Sequence, residues 1–208
     1  MTTLASSTEQ RTGRRPVVTD VPSGTTTGTW GMLLFIATEA ATFAAFLASY
    51  FYLRFSAPGS WPPAGDKLPS LLVPSVGTGV LVVSCVPMWL SLRSARRGRR
   101  GASGLLLLVT LLMGTAFVAL QGLDYSQEWP ESTLSKDVYG SLFYTITGLH
   151  AVHVVIGLFM LVVLLFGVTV RPPSAGRPGA VRNVSLYWYF LAVLAVAIYC
   201  TVYLSPYL

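Results

Sequence analysis

The sequence predicts an all-α, polytopic membrane protein built as a bundle of five transmembrane helices. Three observations carry that expectation. Hydrophobic residues make up 53% of the 208 residues and charged residues only 11%, less than half the ~25% of soluble domains. Five stretches each approach or exceed the roughly 20 mostly apolar residues that cross a bilayer. The basic residues lie between those stretches. That placement makes nucleic acid a poor partner for a chain of net charge +6, because no basic polar surface is available to bind it.

Residues 1–28 are rich in Thr, Ser and Arg, contain no apolar run, and are expected to form a disordered polar tail. Arg14 and Arg15 are followed by Pro16 and polar residues, so neither a cleavable nor a twin-arginine signal is indicated. Residues 29–208 form the membrane domain, with spans at about 30–55, 71–92, 104–123, 141–170 and 184–204. Pro74 falls in the first turn of the second span, where its missing N–H costs little. Pro87 lies deeper and should kink that helix. The fourth span exceeds what a bilayer requires and should tilt or protrude. No repeat of 20–50 residues is visible.

The arginines set the orientation. Arg11, Arg14 and Arg15 precede the first span, Arg93, Arg96, Arg97, Arg99 and Arg100 follow the second, and Arg171, Arg177 and Arg182 follow the fourth. Five crossings place all of these on one side. The other side keeps Arg54, Lys67 and Lys136 and collects Asp66, Asp124, Glu128, Glu131 and Asp137. The positive-inside rule then makes the N-terminus cytoplasmic and the C-terminus external. Trp30, Trp89, Tyr187 and Trp188 read as an inner aromatic belt, and Tyr52, Trp61, Tyr125, Trp129 and Tyr203 as an outer one.

Glu39 is the carboxyl expected inside the membrane, ~14 Å into its span at 1.5 Å per residue. Insertion at that depth costs about 2.5–3.5 kcal/mol, so the side chain must be protonated, paired, or turned to a wet or protein-lined cavity. It reads either as a site for protons or lipid, or as a protonated group hydrogen-bonded between helices. His150 and His153, three residues apart, share a helix face near mid-span. His153 lies within ~6 Å of Glu39 in depth, so the carboxyl is expected to contact that face. Three candidate ligands fall short of a zinc site, and one helix face cannot supply the two opposed imidazoles of a haem. No metal or cofactor is expected in this chain.

Cys85 and Cys200 lie ~15 Å apart in depth, too far for a disulfide, and each reads as a small buried hydrophobe. Ser75 with Gly79, around Gly77, forms a small-residue packing signal, and Gly114, Gly140, Gly148 and Gly157 permit close helix approach. Thr145, Thr147 and Gln121 can hydrogen-bond between helices.

The fourth span reads Tyr139-Gly140-Ser141, then Thr147-Gly148-Leu149-His150-Ala151-Val152-His153-Val154, then Gly157. It resembles the signature helix of subunit III of the haem–copper respiratory oxidases. Trp30-Gly31-Met32, Glu39, Phe43 and Ser49-Tyr50-Phe51-Tyr52-Leu53-Arg54 are similar to the family's first matching helix. Trp61-Pro62-Pro63 and Leu120-Gln121-Gly122-Leu123-Asp124-Tyr125 also fit. The resemblance spans about residues 30–208 and implies a five-span form of a seven- or five-span bundle. Tyr189 and Ala192 depart from it, standing where the family usually has His and Asp.

The resemblance implies a non-catalytic subunit of a terminal cytochrome c oxidase in a bacterial plasma membrane. Such a subunit would pack chiefly against oxidase subunit I, with subunit II and membrane lipids as further partners. It would stabilise the catalytic subunit, sustain its proton uptake and hold phospholipid, with haem and copper residing in the partners. Glu39, His150 and His153 would shape the proton or lipid environment. Tyr139, Gly140, Thr147, Gly148 and Gly157 would form the helix-packing motif. Subunit III of a quinol oxidase, or a homologue associated with nitric oxide reductase, fits the same features. A proton-coupled transporter, with Glu39 and the histidines as a relay, is the reading from another class, although paired repeats and interrupted midplane helices are not evident.

Overall fold

The computed structural model describes residues 27–57, 61, 70–128, 138–170 and 177–207. The expected tail apart from Thr27 and Gly28, Trp129, and the 62–63 and 171–176 loop residues lie outside the described residues. Every regular element described is helical: α1 Thr27–Ser56, α2 Leu72–Val83, α3 Cys85–Arg96, α4 Arg100–Glu128, α5 Val138–Val170 and α6 Arg177–Ile198. A π-helical segment Tyr199–Leu204 and a 3₁₀ turn Ser205–Tyr207 continue α6. Five helical units are long and apolar enough to cross a membrane, with α2 and α3 together forming one of them, Leu72–Arg96.

The helices outrun the apolar windows that announced them. Hydropathy measures what hydrocarbon tolerates, whereas the backbone ladder continues wherever it remains satisfied. At 33 residues, α5 is ~50 Å long against ~30 Å of hydrocarbon, so it tilts or protrudes. For the same reason Arg93 and Arg96 lie on α3, Arg100 opens α4 and Arg182 sits on α6, positions expected to be loop.

Pro74 sits in the first turn of α2, as its sequence position implied. The helical interruption falls at Ser84, three residues before Pro87, which occupies the first turn of α3. Pro87 offers no N–H to the preceding turn and its ring crowds that turn's carbonyl. Ser84 carries the break, its N–H still bonding Val80 O at 3.0 Å and its carbonyl accepting from Met88 N at 3.3 Å.

Arg96 ends α3 in a Schellman turn. Gly98 takes φ +70°, the left-handed conformation that glycine adopts without strain. The Arg99 N–H reaches Ser94 O at 3.0 Å, and the Gly98 N–H reaches Ala95 O at 3.1 Å. The chain therefore reverses within a few residues, and Ser91 Oγ bonds the Ser103 carbonyl at 3.1 Å to pin α3 onto α4.

Around this hairpin α4 packs on α2, α3 and α5, while α6 packs on α1, α2, α3 and α5. Trp188 sits in the core with no exposed surface and donates from Nε1 to Ser84 Oγ at 2.8 Å, across the α2–α3 break. Gly114 makes this possible. A Cβ there would stand 2.5 Å from the Trp188 ring and 2.8 Å from Leu158.

Several expected surface or packing roles are corrected. Tyr187 and Trp188 are fully buried core residues and Tyr203 is 3% exposed, so none belongs to an aromatic belt. Trp30, Trp89 and Tyr52 are exposed as belt residues are, and Arg93 lies over the Trp89 ring. Gly77, not the Ser75/Gly79 pair, faces α4, where Phe117 would lie 3.6 Å from an added Cβ. Thr145 points outward. Cys200 is exposed, so only Cys85 approaches the buried role expected of both.

Candidate functional site

One stripe along α1 builds the site. Thr29, Met32, Ile36, Glu39, Phe43, Phe46 and Tyr50 follow at alternating steps of three and four residues, which keeps them on one face. Thr29, Phe43 and Tyr50 are the buried residues of α1, and the others of the stripe are half-buried. Glu39 is the acidic member, so its carboxyl is aimed at the bundle by the same spacing that aims Phe43.

It meets α5. Glu39 Oε2 lies 2.8 Å from His153 Nε2. His153 Nδ1 lies 2.7 Å from the Leu149 carbonyl, an oxygen that can only accept, so Nδ1 carries a proton. The Nε2–Oε2 contact then holds one further proton. Either a carboxylic acid donates to a neutral imidazole, or an imidazolium donates to a carboxylate. The pair has no net charge in either arrangement, which lowers the cost of the buried site. That proton can sit on either Oε2 or Nε2.

His150, 3% exposed, does not join that contact. Its Nε2 donates to the Leu191 carbonyl of α6 at 3.2 Å. The expectation that Glu39 would meet the paired histidines is therefore met through His153, while His150 turns to the opposite neighbour. Rings wall off both imidazoles: Phe43 stands edge-on to His153 at 5.2 Å, and Phe117 to His150 at 5.6 Å. Tyr187 donates its hydroxyl to the His153 carbonyl at 3.2 Å, tying α6 to the same turn. The Glu39 side chain keeps 23% exposure.

The packing-motif residues are spread along α5. Tyr139 and Gly140 are buried at the start of α5, and Tyr139 meets Trp61 edge-on at 5.6 Å. Thr147 accepts from the Tyr125 hydroxyl at 2.8 Å, and Gly148 leaves that hydroxyl room, with a Cβ there 3.6 Å away. Gly157 admits Leu191 and Trp188, which would lie 3.0 and 3.2 Å from an added Cβ.

A second polar cluster lies where loop chemistry was expected. Asp124 is 1% exposed inside the bundle, so it joins Glu39 as a carboxyl within a spanning helix. Tyr203 donates to Asp124 Oδ2 at 2.6 Å, and Gln121 Nε2 approaches it at 3.3 Å. The π-helical segment carries Tyr203 to this position and brings the Tyr199 hydroxyl within 2.6 Å of Ser75 Oγ. A cavity of ≈ 20 Å³ lies between this cluster and His150, lined also by Gln121 and Thr147. Such a volume accommodates about one water. The sequence signal for this cluster is Gln121 one turn before Asp124, at the end of an apolar run.

At the opposite end Arg182 donates to Thr29 Oγ1, and Thr29 Oγ1 bonds Asn183 Oδ1 at 2.9 Å, latching α1 to α6. Among the described residues no three His, Cys, Asp or Glu side chains converge to hold a metal ion.

Residues 20–207 fit the family described as cytochrome c oxidase subunit III. The chain is similar to a probable cytochrome c oxidase subunit 3 of Nocardia farcinica, at 35% identity over 83% of this chain and 85% of that one. It is also similar to cytochrome c oxidase subunit 3 of Strongylocentrotus purpuratus, at 35% identity over 84% of this chain and 68% of the relative. The Mus musculus subunit 3 is 31% identical over the same shares. With its five apolar spans and a match across residues 20–207, the chain belongs to the cytochrome c oxidase subunit III family.

Proposed function

We propose that this chain is the non-catalytic subunit III of a terminal cytochrome c oxidase. It packs beside the haem–copper catalytic subunit, stabilises it, sustains its proton uptake and binds membrane lipid. Family membership carries the coarser part: the chain is a subunit of an oxidase complex. The finer part rests on the Glu39–His153 contact. A charge-neutral acid–base pair with a partly exposed carboxyl can accept or yield a proton at the bundle surface. Haem and copper reside in the partner subunits, chiefly subunit I with subunit II. The chain supplies packing, and one proton is held between Oε2 and Nε2. The Nocardia relative supports a bacterial plasma membrane as the location, with the arginine-rich end cytoplasmic.

The experiment purifies the complex carrying Glu39→Ala. The expected result is unchanged haem content with weaker sustained turnover or reduced lipid retention. Loss of all haem from the complex would contradict this division of labour, and unaltered turnover and lipid would remove the role given to Glu39.

A further inference from the structure

His150 takes no part in the Glu39 contact, and one of its ring nitrogens has no hydrogen bond among the described residues. The Leu191 carbonyl can only accept, so Nε2 carries a proton and Nδ1 of the neutral ring presents a lone pair. His150 is 3% exposed, and it lines the ≈ 20 Å³ cavity between α2, α4, α5 and α6.

Two more polar groups line the same cavity. Gln121 turns its amide nitrogen to Asp124 Oδ2 at 3.3 Å and to the Tyr203 oxygen at 3.4 Å. Its N–H groups are engaged there, which leaves the Oε1 acceptor unused among the described residues. Thr78, beside buried Gly77 on α2, carries a hydroxyl with no hydrogen-bond partner among those residues.

The three groups come from three helices and complement one small molecule. A water offers two O–H donors to the two acceptors, and a lone pair to the Thr78 hydroxyl. Buried waters typically make about three hydrogen bonds, and a volume of at least ~10–15 Å³ holds one. Phe117, Ala195 and Ile198 wall the cavity with apolar surface, where an unmet acceptor is costly.

We infer that this cavity is a binding site for a single ordered water, held by His150 Nδ1, Gln121 Oε1 and the Thr78 hydroxyl. The paired histidines then have separate tasks. His153 pairs with the Glu39 carboxyl, and His150 positions a water that joins α2, α4 and α5. The site goes beyond the role proposed for Glu39 and does not rest on it.

The test uses the full chain in lipid bilayers with isotope-labelled histidine, read by solid-state NMR in which magnetisation starts on water protons. The chain has two histidines, so His150→Phe assigns the signals by removing one set. Transfer from water to His150 Nδ1 is expected in the unaltered chain. Gln121→Met, which removes one acceptor, should weaken that transfer. Ala195→Val, which fills the cavity with methyl groups, should abolish it while the His153 signals stay in place. Thr145→Val, pointing outward on α5, should change nothing. Absence of transfer in the unaltered chain, or full transfer in both cavity variants, would overturn the assignment. A density map of the purified complex gives a second reading that needs no variant. One water within hydrogen-bonding distance of Nδ1 and Oε1 is expected there, and a dry cavity refutes the site. Haem content and turnover play no part in either readout, so the water site and the oxidase role fail separately.

Discussion

Glu39 and His153 are 114 residues apart in the chain, yet Oε2 and Nε2 stand 2.8 Å apart. The Leu149 carbonyl fixes the second imidazole nitrogen as a donor, so the contact admits a single proton between two acceptor atoms.

Glu39→Gln should preserve this contact, because a carboxamide N–H can donate to Nε2, while it removes the exchangeable proton. Glu39→Ala should cost about 1–3 kcal/mol, the price of leaving a buried polar atom unpaired. Denaturant unfolding of the reconstituted chain measures both. An alanine variant as stable as the glutamine variant would remove the hydrogen bond from the energetics.

Gly114→Ala should destabilise the bundle by about 1–3 kcal/mol, since the new methyl would press into the Trp188 ring and Leu158. Gly79→Ala, with open space at the same atom, should be neutral or slightly stabilising. The contrast between two glycine-to-alanine changes in one assay isolates packing from helix propensity.

Single-tryptophan variants should separate core from belt. Brominated lipid should quench Trp30 and Trp89, which are 58% and 51% exposed, and leave Trp188 unquenched. Quenching of Trp188 comparable to that of Trp89 would place it in the lipid-facing belt.

A double-mutant cycle of Tyr203→Phe with Asp124→Asn should show coupling of about 0.6–1.7 kcal/mol, the range for hydrogen bonds between membrane helices. Additive effects would mean that the two groups do not interact in the folded bundle.

How far these features could be read in advance depends on what drives each one. The five spans, the Pro87 interruption and the depth match of Glu39 with His153 follow from apolar length, proline chemistry and helix rise. The spacing of Met32, Ile36, Glu39, Phe43 and Tyr50 also marks the inward face of α1, though its contrast is faint because Leu34, Ala37 and Ala41 opposite are apolar too. Asp124 follows the last apolar window and so reads from sequence as outer loop, and Tyr187 and Trp188 read as belt residues because aromatic residues gather at membrane interfaces.

Hydrocarbon repels charge and an unpaired backbone alike, so composition along the chain was enough to establish which segments are long and apolar enough to cross. It was not enough to establish direction around each helix. Lipid tails and a protein core are equally apolar, so Trp188 could face either until Gly114 and Ser84 provided a space and a hydrogen-bond partner for it. The same packing buried Asp124 under Tyr203 and paired Glu39 with His153 instead of His150. Close packing and hydrogen-bond pairing between helices distant in the chain decided those contacts.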